Sequence, residues 1–418
     1  MKLIKEYILT REVFFNILIF VMWGYLLLAY FRAAIGVLPV IGNYQLEAEA
    51  VLVTLIVLAA LPAVINRMAT IDWLFLLGCC GIYIINIGIF HTNYDILIKN
   101  IFPTLCITIP FFVMGRLLDI KKYIKPMVII SAVCIIMDAF YFLIYMRNPE
   151  KMIERMAGEY YMYQAYRLLP HVALLFWQGM KTGNMWKLIL AILGTFLIIA
   201  YGTRGPLACL GTFCITYFFL YTKFRYSIWI KSIIIALCAF SALFIQQLLI
   251  FIQELLSSVD MSTRIIDRML TGGLLHDTGR GYIKHQLYSF LDNGESLTGY
   301  GLFGCYQLFG KFPHDYILDF FFTFGYAVGG ALLFLTTYII CKAHIICHNS
   351  YERGFILLLV CVSILKMFFS STFVEDNMYF TLIGFCTSIL IRHHYAKQQI
   401  THSMSEDNVL SNPKQRIF

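Results

Sequence analysis

Apolar residues in this chain gather into runs of about 20, long enough for a helix to cross a hydrocarbon core of about 30 Å, and short polar joints separate them. Twelve runs are legible. They cover Glu12 to Phe31, Ala48 to Ile65, Ile71 to Phe90, Ile96 to Gly115, Pro126 to Met146 and Leu168 to Met180. The others are Met185 to Tyr201, Gly205 to Tyr221, Ile228 to Ile252, Tyr316 to Ile340, Gly354 to Phe373 and Met378 to Ile391. The sixth is short and its start is poorly marked. Pro62, Pro103, Pro110 and Pro170 fall within or beside runs and predict kinks. One interruption breaks the rhythm: residues 253–315 form a long polar stretch between the ninth and tenth runs. A polar tail, 392–418, has too little apolar content to pack and is expected to be disordered. The pattern predicts an all-α polytopic membrane protein: about twelve transmembrane helices in one domain over 1–391, with 253–315 as an embedded external loop.

Composition removes the soluble alternative. Only 13% of residues are charged and 60% are hydrophobic, where a soluble domain carries about a quarter charged. An outer-membrane barrel would show short alternating segments instead of continuous runs. The net charge of +8 invites a nucleic-acid reading, but its placement argues against one. Lys and Arg collect in alternate joints, such as Arg116, Lys121, Lys122 and Lys125, then Lys223, Arg225 and Lys231, then Lys342 and Arg353. That is a positive-inside signature, with both termini cytoplasmic. The twelve cysteines are scattered among the runs with no C-x-x-C pair or Cys/His ligand spacing. They read as small apolar residues, and neither a disulfide framework nor a metal site is expected. Nothing near the start reads as a cleaved signal peptide, because Phe14 to Phe31 is long enough to stay as a helix.

Several cations break the topology rule and need another reason to be where they are. Arg147, Lys151, Arg155, Arg167, Arg204 and the arginines of the long loop all fall on the expected outer face. Binding an anion is the simplest reason. In Gly202-Thr203-Arg204-Gly205-Pro206 the glycines free the backbone and Pro206 suits a first helical turn. Arg204 therefore stands at a helix N-terminus, where free N–H groups already favour an anion and a guanidinium adds bidentate donors. Snorkelling to the interface is the plainer alternative. Asp260, Arg264 and Arg268 are spaced i,i+4, so Arg264 and Arg268 project from one face of a short helix, either toward a ligand or into a surface pair. Arg280 lies between Gly279 and Gly281, which permit close approach of a ligand to the backbone. Gly299-Tyr300-Gly301 is a sharp bend, too short for a nucleotide loop. His314-Asp315 precedes the tenth run, and a histidine there can accept a proton or donate to a phosphate.

In this order, Arg204-Gly205, Gly279-Arg280, Gly299-Tyr300-Gly301 and His314-Asp315, followed by Tyr316, Leu318, Gly325 and Gly329-Gly330, resemble the O-antigen polymerase and O-antigen ligase superfamily of bacterial envelope glycosyltransferases. The resemblance covers about Ile199 to Ala331, and it departs at Asp315, where the family carries asparagine. It implies a GT-C-like helical fold in the bacterial inner membrane and a metal-independent transferase without cofactor. The implied donor and acceptor are polyprenyl-pyrophosphate-linked oligosaccharides, and a chain-length regulator and a flippase are implied partners. Carried over, Arg204 and Arg280 clamp the pyrophosphate and His314 stands beside the acceptor hydroxyl or the pyrophosphate; Tyr300 and Asp315, in the matching motifs, and Arg264 and Arg268, from their own spacing, are added as candidate substrate-binding residues.

Three activities fit this reading: a polymerase joining repeat units, a ligase using lipid A-core as acceptor, and a flippase or transporter of the same lipids. Transporters more often carry ionisable groups at the bilayer midplane and inverted pairs of broken helices. Here Asp138, Lys366 and Lys99 are the ionisable groups singled out within apolar runs, and no inverted pair of Gly/Pro-broken helices is evident.

Overall fold

The computed structural model describes residues 45–146, 159–201, 203–221, 280–292 and 297–410, with scattered positions within 13–30 and 232–270. Among the described residues the protein is all-helical, and four helical stretches are long and apolar enough to cross a membrane. In chain order the α-helices are α1 (Gln45–Ile65), α2 (Thr70–Ile89), α3 (Tyr94–Ile101), α4 (Phe111–Leu117), α5 (Ile120–Met146), α6 (Glu159–Thr182) and α7 (Met185–Ala200). There follow α8 (Arg204–Tyr221), α9 (Arg280–Phe290), α10 (Gly304–Phe309), α11 (Tyr316–Ile346), α12 (Ser350–Val362), α13 (Ile364–Met367) and α14 (Asn377–Leu410). Most of the first and ninth apolar runs, and the loop before Arg280, lie outside the described residues.

Four predicted runs differ in form. The fourth is not one α-helix, because a π-helical segment over Phe102–Thr108 joins α3 to α4. Pro103 has no N–H to give, and the widened turn is closed by Ile109 N–H donating to the Thr104 carbonyl at 2.9 Å. The sixth run is part of a longer helix that begins at Glu159. The eleventh stops early: α12 ends at Ser363, whose φ of −115° and ψ of −76° break the helix before the single turn of α13. The polar tail is not all irregular, since α14 continues through Arg392 to Leu410.

The tenth run carries the largest difference. Gly325, with φ 74° and ψ 172°, breaks α11 into two arms. Tyr316–Phe324 folds back along the arm that starts at Tyr326. A Cβ on Gly329 would stand 2.5 Å from the Phe320 carbonyl oxygen, and the Tyr316 hydroxyl lies 3.3 Å from Thr336 Oγ1. The arms are therefore antiparallel, and the second alone, Tyr326–Ile346, is about 30 Å long. The break leaves carbonyls at the end of the first arm without helical partners. The Gly299–Gly301 bend supplies them: Tyr300 N–H donates to Phe322 O at 2.7 Å and Gly301 N–H to Thr323 O at 3.0 Å. Two buried asparagines hold the bend from its other side. Asn86 Oδ1 accepts from Leu302 N–H at 2.8 Å, and Asn93 Nδ2 donates to the Tyr300 carbonyl at 2.7 Å.

Glycine also sets the closest packing in the bundle. A Cβ on Gly384 of α14 would meet Phe112 O at 1.9 Å, and one on Gly115 of α4 would meet Thr381 O at 2.2 Å. The two helices thus touch backbone to backbone, the small-residue contact that lets apolar helices associate where burial from water gives no drive. Large rings fill the centre, with fully buried Phe355 in contact with both Trp177 and Phe385, themselves fully buried.

Candidate functional site

Where α6, α8 and α14 begin, a cavity of about 850 Å³ opens at one end of the bundle. Its wall draws on the first turns of α6, the chain before α11, and the segment from α13 to the start of α14. Two of its residues, His314 (φ 52°) and Ser371 (φ 86°), hold the left-handed conformation that side chains disfavour. Such strain persists only where the surroundings over-determine it, and it gathers at functional sites.

The wall is charged. Arg167, Lys311, His314 and Lys366 face the same space as Glu375 and Asp376. Lys366 Nζ pairs with Asp376 Oδ2 at 2.8 Å, while Asp376 Oδ1 accepts from Tyr379 N–H at 2.9 Å and so caps the first turn of α14. Lys366 also lies 5.7 Å from the centre of the Tyr166 ring. The Arg167 guanidinium stacks 3.8 Å from the Tyr163 ring centre. Asp319, buried on the first arm of α11, accepts from Thr372 Oγ1 at 2.6 Å and Phe373 N–H at 3.2 Å, which fixes the loop that carries Ser371 and Glu375. Burial raises the Glu375 carboxyl above its ordinary range, opposed by nearby Lys366. Cations on a partly enclosed wall suit an anionic ligand, and a carboxylate beside them suits proton transfer.

The residues named from sequence fall into distinct places. His314 lines the cavity. Arg204 is the first residue of α8, one position earlier than the apolar pattern suggested. It does not line the cavity itself, but Gly205 packs so closely on Tyr166, a wall residue, that a Cβ there would stand 1.9 Å from the hydroxyl. Arg280 opens α9, and Ile283, one turn later, is on the wall. The mouths of α8 and α9 therefore border one cavity. Asp315 is engaged within the fold. Its Oδ1 accepts from the N–H groups of Ile317 and Leu318, capping α11, and its Oδ2 accepts from Lys284 Nζ at 2.6 Å. Tyr300 stacks on Phe322 with ring centres 4.5 Å apart and donates its hydroxyl to the Phe290 carbonyl, so it belongs to packing rather than to the wall. Arg264 and Arg268 lie outside the described residues.

No family model, curated protein or solved structure matches this chain. The site is thus read from its own residues. Among the described residues no three His, Cys, Asp or Glu side chains converge as metal ligands. Sequence reasoning passed over Glu375, Asp376 and Asp319. It flagged Lys366 as a cation within an apolar run and Arg167 as a cation on the wrong side, and both are on the wall. A lone charge in an apolar run was the signal that could have led to the Lys366–Asp376 pair.

Proposed function

We propose that this protein is an integral-membrane glycosyltransferase that polymerises a surface polysaccharide. It would move a glycan chain from polyprenyl pyrophosphate onto a lipid-linked repeat unit at the outer leaflet of a bacterial inner membrane. In this reading the chain crosses the bilayer about twelve times with both termini cytoplasmic, and the fold is GT-C-like. The observation that supports the proposal is that His314 lines a cation-bearing cavity whose wall also includes Ile283, one turn past Arg280, and Tyr166, on which Gly205 packs. Lipid pyrophosphate is already a good leaving group, so the chief demand is stabilising the charge that grows on it. Preorganised guanidinium groups in a partly dry site meet that demand. His314 then stands beside the pyrophosphate or the acceptor hydroxyl.

The test uses purified protein in vesicles with lipid-linked repeat units. Wild type makes polymer without any ion gradient, and Arg204→Ala and Arg280→Ala each lower it at least about 100-fold while inserting normally. Lysine at either position rescues poorly, because the bidentate geometry is lost. Near-normal polymer from either alanine variant removes the clamp. A ligase would instead transfer glycan to lipid A-core, and a deletion strain would accumulate free lipid-linked polymer rather than lose its chain-length ladder.

A transporter of the same lipids is the second reading, and one observation favours it. The broken hairpin of α11 beside buried Asp319 and Asp376 and half-buried Lys366 is the kind of arrangement that transporters place around a substrate. Gradient-dependent movement of lipid-linked sugar with no polymer from competent substrate would select it.

A further inference from the structure

Four carboxylates stand on or beside the cavity wall, and three are already engaged. Asp315 caps α11 and holds Lys284. Asp319 accepts from Thr372 and Phe373. Asp376 accepts from Lys366 and Tyr379. Glu375 is different: it lines the cavity, the residue keeps exposed surface although its carboxyl is partly desolvated, and among the described residues its side chain makes no hydrogen bond or ion pair, only its backbone N–H donating to the Thr372 carbonyl.

Its backbone is nevertheless fixed. Glu375 ends a 3₁₀ turn, Phe373–Glu375, whose N-cap Thr372 is tied to Asp319. Phe373, at the start of that turn, stacks on Phe320 with ring centres 4.3 Å apart. An unengaged carboxylate on an anchored turn, lining a cavity that also carries Arg167, Lys311 and Lys366, is a preorganised proton acceptor. Arg167, Lys311 and Lys366 supply cations that suit the diphosphate, and Glu375 is left for the acceptor hydroxyl.

We propose that Glu375 is the catalytic residue that takes the proton from the acceptor sugar hydroxyl. The assignment rests on the transferase reading above. In the step, the acceptor oxygen forms a bond to the anomeric carbon of the donor chain as the bond from that carbon to the phosphate oxygen breaks. The electron pair of the broken bond stays on the lipid pyrophosphate, and the hydroxyl proton goes to the Glu375 carboxylate. Glu375 must be ionised to act, so turnover falls as pH drops through its raised value. Lys366, Asp319 and Tyr83 are the charged or titratable groups near enough to influence that limb, and Arg167, Lys311, His314 and Asp376 share the cavity.

The experiment compares variants in vesicles supplied with lipid-linked repeat units, with thermal stabilisation by polyprenyl diphosphate as a separate measure of lipid binding. Glu375→Gln is expected to lose at least about 100-fold in turnover, to keep that stabilisation, and to lose the acidic limb of the residual rate. Added formate should restore part of the turnover of Glu375→Ala by entering the space left by the carboxylate, which no merely structural role explains. Turnover of Glu375→Gln within about threefold of wild type overturns the assignment, as does loss of polyprenyl diphosphate stabilisation in that variant. The two failures are distinguishable. An active wild type with an active Glu375→Gln removes this residue alone, whereas an inactive wild type removes the transferase reading and this inference with it.

Discussion

Asp138 and Asp376 are both buried carboxylates, satisfied in opposite ways. Asp138, in the middle of α5, receives only neutral donors: the hydroxyls of Tyr30 and Tyr201, the latter at 2.8 Å, and Gln164 Nε2 at 2.7 Å. Asp376, on the cavity wall, receives a lysine. The first arrangement ties three segments of the bundle together and presents no charge to the cavity wall. The second holds a cation where a ligand can reach it, since Lys366 keeps 23% of its side-chain surface exposed while Asp376 keeps 1%. The difference teaches that buried polarity here has two uses, one to fix helices and one to furnish a site.

The comparison can be broken most forcefully at Lys366. Lys366→Met is expected to lower turnover at least about 100-fold and to cost about 3 kcal/mol by leaving Asp376 buried without its counter-ion. Adding Asp376→Asn should recover the melting temperature without recovering turnover. If the double variant regains both, Lys366 serves stability alone.

Next in size is Asp138. Asp138→Ala removes one acceptor from three donors and should cost about 3 kcal/mol, and Asp138→Asn, which keeps one carbonyl oxygen, about half that, with turnover largely kept. Unfolding in detergent, followed by tryptophan fluorescence, measures both. A stable Asp138→Asn protein with no turnover would show that this carboxylate acts in the reaction and is not a fastening. Tyr201→Phe deletes one donor and should cost about 1 kcal/mol in the same assay. Smallest of all, Tyr300→Phe keeps the stacked ring and should cost under about 1 kcal/mol with turnover within about threefold. A larger turnover loss at unchanged stability would return the Tyr300 hydroxyl to ligand contact.

Much of the helical frame was legible because apolar runs of bilayer length have few other solutions in this composition. What sequence could not show was where a run fails to be one helix. Gly325 sits inside an unbroken apolar stretch, and nothing local separates a glycine that packs from one that turns the chain back. Ser363 is similar, since Phe368, Phe369 and Phe373 continue the apolar pattern beyond it although they belong to the cavity loop. Arg204, Arg280 and His314 were singled out from their sequence neighbours, and of these His314 lines the cavity. Glu375 was not, because its meaning depends on three other carboxylates being occupied by partners distant in sequence. Asn86 and Asn93 carry no motif of their own, and only the bend they grip gives them a purpose.

That grip has a consequence for how the protein is made. The carbonyls of Phe322 and Thr323 are answered by amides more than twenty residues upstream, and hydrocarbon offers no substitute donor. The first arm of α11 cannot settle as an independent inserting segment. It has to dock onto a bend that α2 already holds, so a lesion at Gly299 or Gly301 would surface during biogenesis as a chain degraded by quality control rather than as an assembled protein with an altered cavity.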